Sequence, residues 1–85
     1  MSNSLLVKVL NIKSGIQTYS DVKFIRILSD KYNLLIMRDY LPVIGEINGS
    51  VEIEGKESIK FEKIKGYYIN MNNEFSLIIK EELWV

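Results

Sequence analysis

Gly66-Tyr67-Tyr68-Ile69-Asn70-Met71-Asn72-Asn73-Glu74-Phe75-Ser76-Leu77-Ile78 reads as two strands joined by a turn. Gly66 opens the first, Asn72-Asn73 turns it, and Phe75, Leu77 and Ile79 alternate with Ser76 and Ile78. Upstream of Leu34-Leu35-Ile36-Met37-Arg38-Asp39-Tyr40-Leu41-Pro42-Val43-Ile44, an apolar strand begins at Tyr32; it runs to Met37, is closed by Arg38-Asp39, and then meets a proline. Pro42 lacks a backbone donor, so its segment belongs at an edge or corner. Asn48-Gly49 is the strongest hairpin signal between these stretches, because a primed two-residue turn needs positive φ at both positions. Strands over 43–47 and 50–53 are expected to pair across it. Glu54-Gly55-Lys56 is a further turn, and Ile59, Phe61 and Ile64 mark the next strand.

The first third follows the same grammar. Residues 5–12 alternate as a strand, Lys13-Ser14-Gly15 turns, and residues 16–19 and 22–28 form two more strands. Ser29-Asp30-Lys31 breaks the run, since Ser and Asp bond their own backbone. The tail Lys80-Glu81-Glu82-Leu83-Trp84-Val85 fits either a last edge strand or a turn of helix. Ala, the best helix former, is absent, while β-branched Ile and Val are plentiful. The expectation is an all-β fold: one domain over residues 1–85, a small two-sheet β-sandwich of about ten short, mostly antiparallel strands.

Composition narrows the function classes. Eleven Lys and Arg balance eleven Asp and Glu. No basic stripe is present to neutralise phosphates, which argues against a nucleic-acid partner. No apolar run approaches the roughly 20 residues that span a bilayer, so direct membrane insertion is not expected. The start, Met1-Ser2-Asn3-Ser4-Leu5, lacks the basic and apolar regions of a signal peptide. Cysteine and histidine are both absent, which removes the common zinc ligands and the usual nucleophile–base pairs. With no disulfides to compensate for a thin core, a cytoplasmic chain seated in a larger assembly is the expectation. The carboxylates Glu46, Glu52, Glu54, Glu57, Glu62, Glu74, Asp30 and Asp39 lie at turns or alternate with apolar residues, as solvated groups do. No phosphate loop occurs. The inventory names no catalytic, cofactor-binding or metal-binding residue, and no cofactor is expected.

The aromatic residues have two readings. They could stack on a sugar or nucleotide, but alternate aromatics on strands more often fill a small core. Phe24, Phe61 and Phe75 are expected inside. Tyr67 and Tyr68 must point to opposite faces, while Tyr32 and Tyr40 flank loops and are candidate partner contacts.

The order of these elements resembles the N-terminal β-sandwich of the epsilon subunit of F-type rotary ATP synthases. In that family a strand pair leads to a Gly- and Glu-rich loop, then to a Gly-Ile-Leu-Pro-x-His-Ala-Pro-Leu-Leu segment. A Gly-Gly-Phe-Leu-Glu-Val strand later meets a final Val-Thr-Ile-Leu strand. Here Tyr19-Ser20-Asp21 stands at the first turn, residues 35–44 are similar to the Pro-x-His-Ala-Pro segment, and residues 66–78 to the closing pair. The departures are Tyr40 for the family His, Arg38 for the preceding Pro, Leu41 for the Ala, and Lys65 for the first of the paired glycines. The Gly/Glu loop is Ser29-Asp30-Lys31-Tyr32-Asn33, without glycine.

The resemblance implies a non-catalytic central-stalk subunit that binds the gamma subunit and helps couple rotation of the alpha/beta catalytic head to a membrane ring or another driven element. It would sit on the cytoplasmic side, peripheral to the inner face of the plasma membrane. Carried over by position, Tyr40, Leu41, Pro42 and Val43 are the gamma-facing candidates, and Asp30, Lys31, Tyr32 and Asn33 the ring-facing ones. Family members continue into an inhibitory two-helix hairpin. This sequence ends at Val85, so a purely structural coupling role is expected. The glycine-free loop also admits a motor paralogue that has left the proton ring. Two further classes compete: a free-standing β-sandwich adaptor or carbohydrate-binding module, and a small hydrolase built on two convergent carboxylates. A stalk subunit should expose one contiguous apolar patch.

Overall fold

The computed structural model describes residues 4–82. It contains seven strands: β1 (Leu5–Asn11), β2 (Gly15–Val22), β3 (Phe24–Ser29), β4 (Asn33–Ile36), β5 (Val43–Glu54), β6 (Ser58–Met71) and β7 (Glu74–Glu82). The chain is all-β, as its alternation predicts. The tail is strand as far as Glu82; its last three residues, and Met1 to Asn3, lie outside the described residues.

The count of seven, against about ten short strands, comes from the tail continuing β7 to Glu82 and from two internal mergers. Asn48-Gly49 is not a turn but the middle of the 12-residue β5, and Gly66 does not open a strand but continues the 14-residue β6. In both places the glycine serves a close approach. A Cβ on Gly49 would lie 2.1 Å from the Leu28 carbonyl oxygen, and one on Gly66 would lie 2.0 Å from that of Ile78. The pairing register slips at both sites, between Gly49 and Val51 and between Lys65 and Gly66. Such bulges bend a strand and strengthen its twist. The slip between Gly49 and Val51 also changes the alternation of β6, which turns Ile59 and Phe61 toward the core before it and Ile64, Tyr68 and Asn70 after it. Odd positions give way to even ones, which is why one strand reads as two.

All seven strands belong to one hydrogen-bonded sheet, in the order β2-β1-β7-β6-β5-β3-β4. Five of the six pairings are antiparallel, and β1 with β7 is parallel. The sheet cannot be flat. β2 and β3 are five places apart, which is about 24 Å at the usual strand spacing. Yet only Lys23 separates them in the chain, a reach of about 7 Å. The sheet therefore folds over at the bends of β5 and β6 into two facing halves, and the inner surface becomes the core. Val7, Ile25, Ile27, Ile36, Val51, Phe75 and Leu77 are fully buried there. The Tyr68 ring stacks on Phe75, with centroids 5.6 Å apart. Of the three phenylalanines expected inside, Phe75 is buried, while Phe61 and Phe24 are half-buried.

Turn chemistry holds the ends. Asn72 and Asn73 both have positive φ, at 53° and 62°, and form the two-residue loop between Met71 and Glu74. Gly15, at φ 89°, closes the β1–β2 turn, where the Asn11 side chain accepts the Lys13 backbone N–H at 2.9 Å.

Tyr68 supplies a pH signature of this packing. Burial raises its phenol pKa well above the ordinary 10, and the neighbouring Tyr32 and Tyr40 hydroxyls add to the effect. The folded chain thus holds that proton more tightly than the unfolded chain. The resulting stabilisation is constant below pH 10 and is lost as the pH rises above it. The unfolding free energy from urea titration is expected to fall above pH 10, at up to about 1.4 kcal/mol per pH unit for this group. Tyr68→Phe should flatten that fall.

Candidate functional site

The two halves of the folded sheet present different outer faces. On the half formed by β4, β3 and the far ends of β5 and β6, Arg26 faces Glu52 at 3.9 Å, and Lys60 lies in register with Glu52. Glu54 and Ser58 follow in the next row, joined by a short hydrogen bond from the Ser58 hydroxyl. Leu28 and Leu35 are exposed among these polar groups. This is a solvated, charge-laced surface.

The other half carries β2, β1, β7 and the near ends of β6 and β5. Its outward positions follow from the register. Ile16 stands beside Leu10, Leu10 beside Ile78, and Ile78 beside Tyr67. In the next row Ile44 stands beside Ile69. One apolar row thus crosses four strands, about 14 Å at the usual spacing. Ile44 is 73% exposed and Ile16 68%, with Leu10, Tyr67, Ile69 and Met71 exposed between and beside them. Polar groups border it and continue its second row: Lys80 sits over the Tyr67 ring at 5.3 Å, while Ser76, Lys8 and Thr18 follow Ile69 in register, with Lys8 paired to Glu74 at 3.3 Å. Contiguous exposed apolar surface with a polar rim is the usual mark of a protein-binding face.

The loop over 37–42 borders this face. Asp39 takes positive φ (66°), and its backbone N–H donates to the Asn73 side-chain carbonyl at 2.6 Å. Asn73 Nδ2 donates back to the Asp39 carboxylate at 3.3 Å. Behind the loop, buried Asn70 donates its Nδ2 to the Leu41 carbonyl at 3.4 Å. These contacts fix the loop against the β6–β7 hairpin and leave Leu41 76% exposed.

The four gamma-facing candidates therefore divide. Tyr40, Leu41 and Pro42 are exposed on the loop, while Val43 is half-buried and packs on the core. Pro42 precedes β5, outside any strand, in keeping with its missing donor. Asn73→Ala should loosen the loop by removing both the clasp and a residue tolerant of positive φ, at a cost of about 1–2 kcal/mol. Faster trypsin cleavage at Arg38, with a modestly lower urea midpoint, is the expected result.

The ring-facing candidates form the β3–β4 turn. Asp30, Lys31 and Asn33 are exposed. Tyr32 is half-buried against the core, and its hydroxyl donates to the Glu46 carbonyl in a short hydrogen bond. The Asp30 N–H donates to the Asn48 carbonyl at 3.0 Å, and the Asn48 N–H to the Ser29 hydroxyl at 3.1 Å. The turn is tied to β5 without needing a glycine of its own. Tyr32 from this turn and Tyr40 from the other loop both lie within electrostatic reach of the Tyr68 hydroxyl.

The loop candidates omit most of the exposed face. Ile16, Leu10, Ile44 and Ile69 were not singled out by the sequence reading. A partial signal was available, because Tyr67, Ile69 and Met71 run opposite Tyr68, and Ile78 runs opposite Leu77 and Ile79, so both phases carry large apolar side chains despite Asn70 and Ser76. A strand apolar on both sides is covered on both sides or waits to be covered.

Among the described residues, no three His, Cys, Asp or Glu side chains gather as a metal site. Tyr67 is the one aromatic side chain in the rows of Ile16, Leu10, Ile78, Ile44 and Ile69, which do not form the coplanar aromatic groove of a sugar-binding surface. No protein-family model matches the chain, and no curated protein matches it.

Proposed function

We propose that this chain is a non-catalytic, epsilon-like central-stalk subunit of an F-type rotary ATPase. It binds the gamma subunit through the outer face of β5, β6, β7, β1 and β2. The observation that carries the reading is the asymmetry of the two outer faces: one is laced with charge, and the other holds the apolar rows of Ile16, Leu10, Ile78, Tyr67, Ile44 and Ile69. The resemblance of residues 35–44 and 66–78 to the family segments supports it independently. Tyr40, Leu41 and Pro42 extend the gamma-facing surface at its rim. Asp30, Lys31, Tyr32 and Asn33 form the turn that faces the membrane ring or another driven element.

A stalk part must pass torque without yielding. A close-packed interior has low compressibility, and the clasp from Asp39 to Asn73 stiffens the loop beside the binding face. In this role the chain works on the cytoplasmic side, peripheral to the membrane, with the alpha/beta head as an indirect partner.

The test is co-purification from the native lysate at low salt. Gamma-, alpha- and beta-like subunits are expected with tagged chain, and recovery of none would overturn the proposal. Ring subunits in the same eluate would favour a proton-coupled motor over a paralogue that drives something else.

A further inference from the structure

We infer that Asn48-Gly49 is a deamidation site held closed by the fold: it converts only when β5 comes off its neighbours, and the isoaspartyl product does not close again. Asparagine is a labile residue, and most so before glycine, where no side chain shields the next amide nitrogen. That nitrogen, on Gly49, loses its proton and attacks the Asn48 side-chain carbon Cγ. An N–Cγ bond forms, the Cγ–Nδ2 bond breaks, and the side-chain nitrogen takes a proton from water and leaves as ammonia. Water then opens the five-membered ring. Attack at Cγ leaves aspartate at position 48. Attack at the backbone carbonyl leaves isoaspartate, whose main chain runs through the side-chain carbons.

Ring closure needs the Gly49 nitrogen eclipsed with Cβ about the Cα–C bond of Asn48. Antiparallel strand backbone holds the two about 105° apart. Asn48-Gly49 lies inside β5 rather than in a turn, and neither residue has positive φ. The peptide that must rotate is pinned. The Asn48 carbonyl accepts the Asp30 N–H at 3.0 Å, and the Asn48 N–H donates to the Ser29 hydroxyl at 3.1 Å. The Asn48 carbonyl and the Gly49 nitrogen share one rigid plane, so turning the nitrogen toward Cγ breaks the bond to Asp30. On the other side, Asn48 pairs with Lys65 and Gly49 with Ile64. The Leu28 carbonyl also crowds Gly49. The Asn48 side chain itself is exposed, so backbone geometry protects it and burial does not. Isoaspartate would lengthen the main chain where the register already slips, between Gly49 and Val51. The close pass of Gly49 by Leu28 is then lost. Aspartate instead adds a carboxylate to the cleft that Asn48 shares with Asp30 and Glu46, which weakens closure without forbidding it.

Protection of this kind depends on the closed sheet and not on gamma binding, so it stands or falls apart from the stalk proposal. The experiment holds the chain at mildly alkaline pH, in buffer and in concentrated guanidinium, and follows the tryptic peptide of residues 39–56 by mass spectrometry. A gain of one mass unit, split between aspartate and isoaspartate, is expected at least about tenfold faster in guanidinium than in buffer. Ile27→Val thins the buried contact of β3 with Val51 of β5. It should speed the reaction in buffer several-fold and leave the guanidinium rate unchanged. After the guanidinium is removed, isoaspartyl chains should be depleted from the folded peak on size exclusion, while Asn48→Asp chains enter it. Equal rates in buffer and guanidinium would overturn the inference, as would a rate in buffer that ignores Ile27→Val. So would isoaspartyl chains in the folded peak at the proportion present before refolding.

Discussion

Gly66→Ala is expected to remove about 3–4 kcal/mol of the chain's stability, although it adds a single methyl group. That methyl would stand 2.0 Å from the Ile78 carbonyl oxygen and 3.0 Å from its carbon. Both are backbone atoms of β7, so relief requires moving a strand rather than turning a side chain. Ordinary overpacking costs about 1–3 kcal/mol. A clash with paired backbone at a bulge belongs at or above the top of that range, about 3–4 kcal/mol. The whole stability of a domain this size is on the order of 5–10 kcal/mol, and the close approach at Gly66 allows the bend on which closure of the sheet depends. Urea titration followed by far-UV circular dichroism reads the effect. A midpoint within experimental scatter of wild type would show that the bulge can relax and that the glycine is incidental.

Ile69→Glu is expected to do the opposite, abolishing partner capture with little change in stability. Ile69 lies centrally on the apolar face, beside Ile44 in register and only partly covered in the free chain. A carboxylate there stays hydrated in the free protein, so the unfolding free energy should move by no more than about 0.5 kcal/mol. In a complex the same carboxylate would be buried without a partner. That costs several kcal/mol, or at least about a hundredfold in affinity. Glu52→Lys, on the charge-laced face, is the matched control and should leave capture intact. If Ile69→Glu still recovers gamma-like subunits at wild-type yield, the apolar face is not the binding face. If Glu52→Lys alone abolishes capture, the faces have been assigned the wrong way round.

Much of this was legible before folding. Alternation marked the strands, Asn72-Asn73 marked its own hairpin because the turn is local and both residues tolerate positive φ, and Pro42 marked a break. Tyr67 and Tyr68 split between outside and inside because successive strand residues must. Asn48-Gly49 misled for a physical reason. Glycine is required by a turn with positive φ and equally by a backbone that passes too close for a Cβ. The second cause lies at Leu28, about twenty residues away in the chain. Nothing within reach of a local reading distinguishes the two.

The candidate site divides in the same way. Loops 30–33 and 37–42 could be located from the residues alone, because turn formers and proline act on their immediate neighbours. The apolar face could not, since it is assembled from β2, β1, β7, β6 and β5, whose order depends on the parallel pairing of β1 with β7. That pairing joins residues near opposite ends of the chain. Local chemistry therefore decided which segments are strands and which way each side chain alternates. The order of the strands, the fold of the sheet at its bulges and the outer face left apolar are products of long-range packing, because each depends on atoms that meet only when the sheet closes.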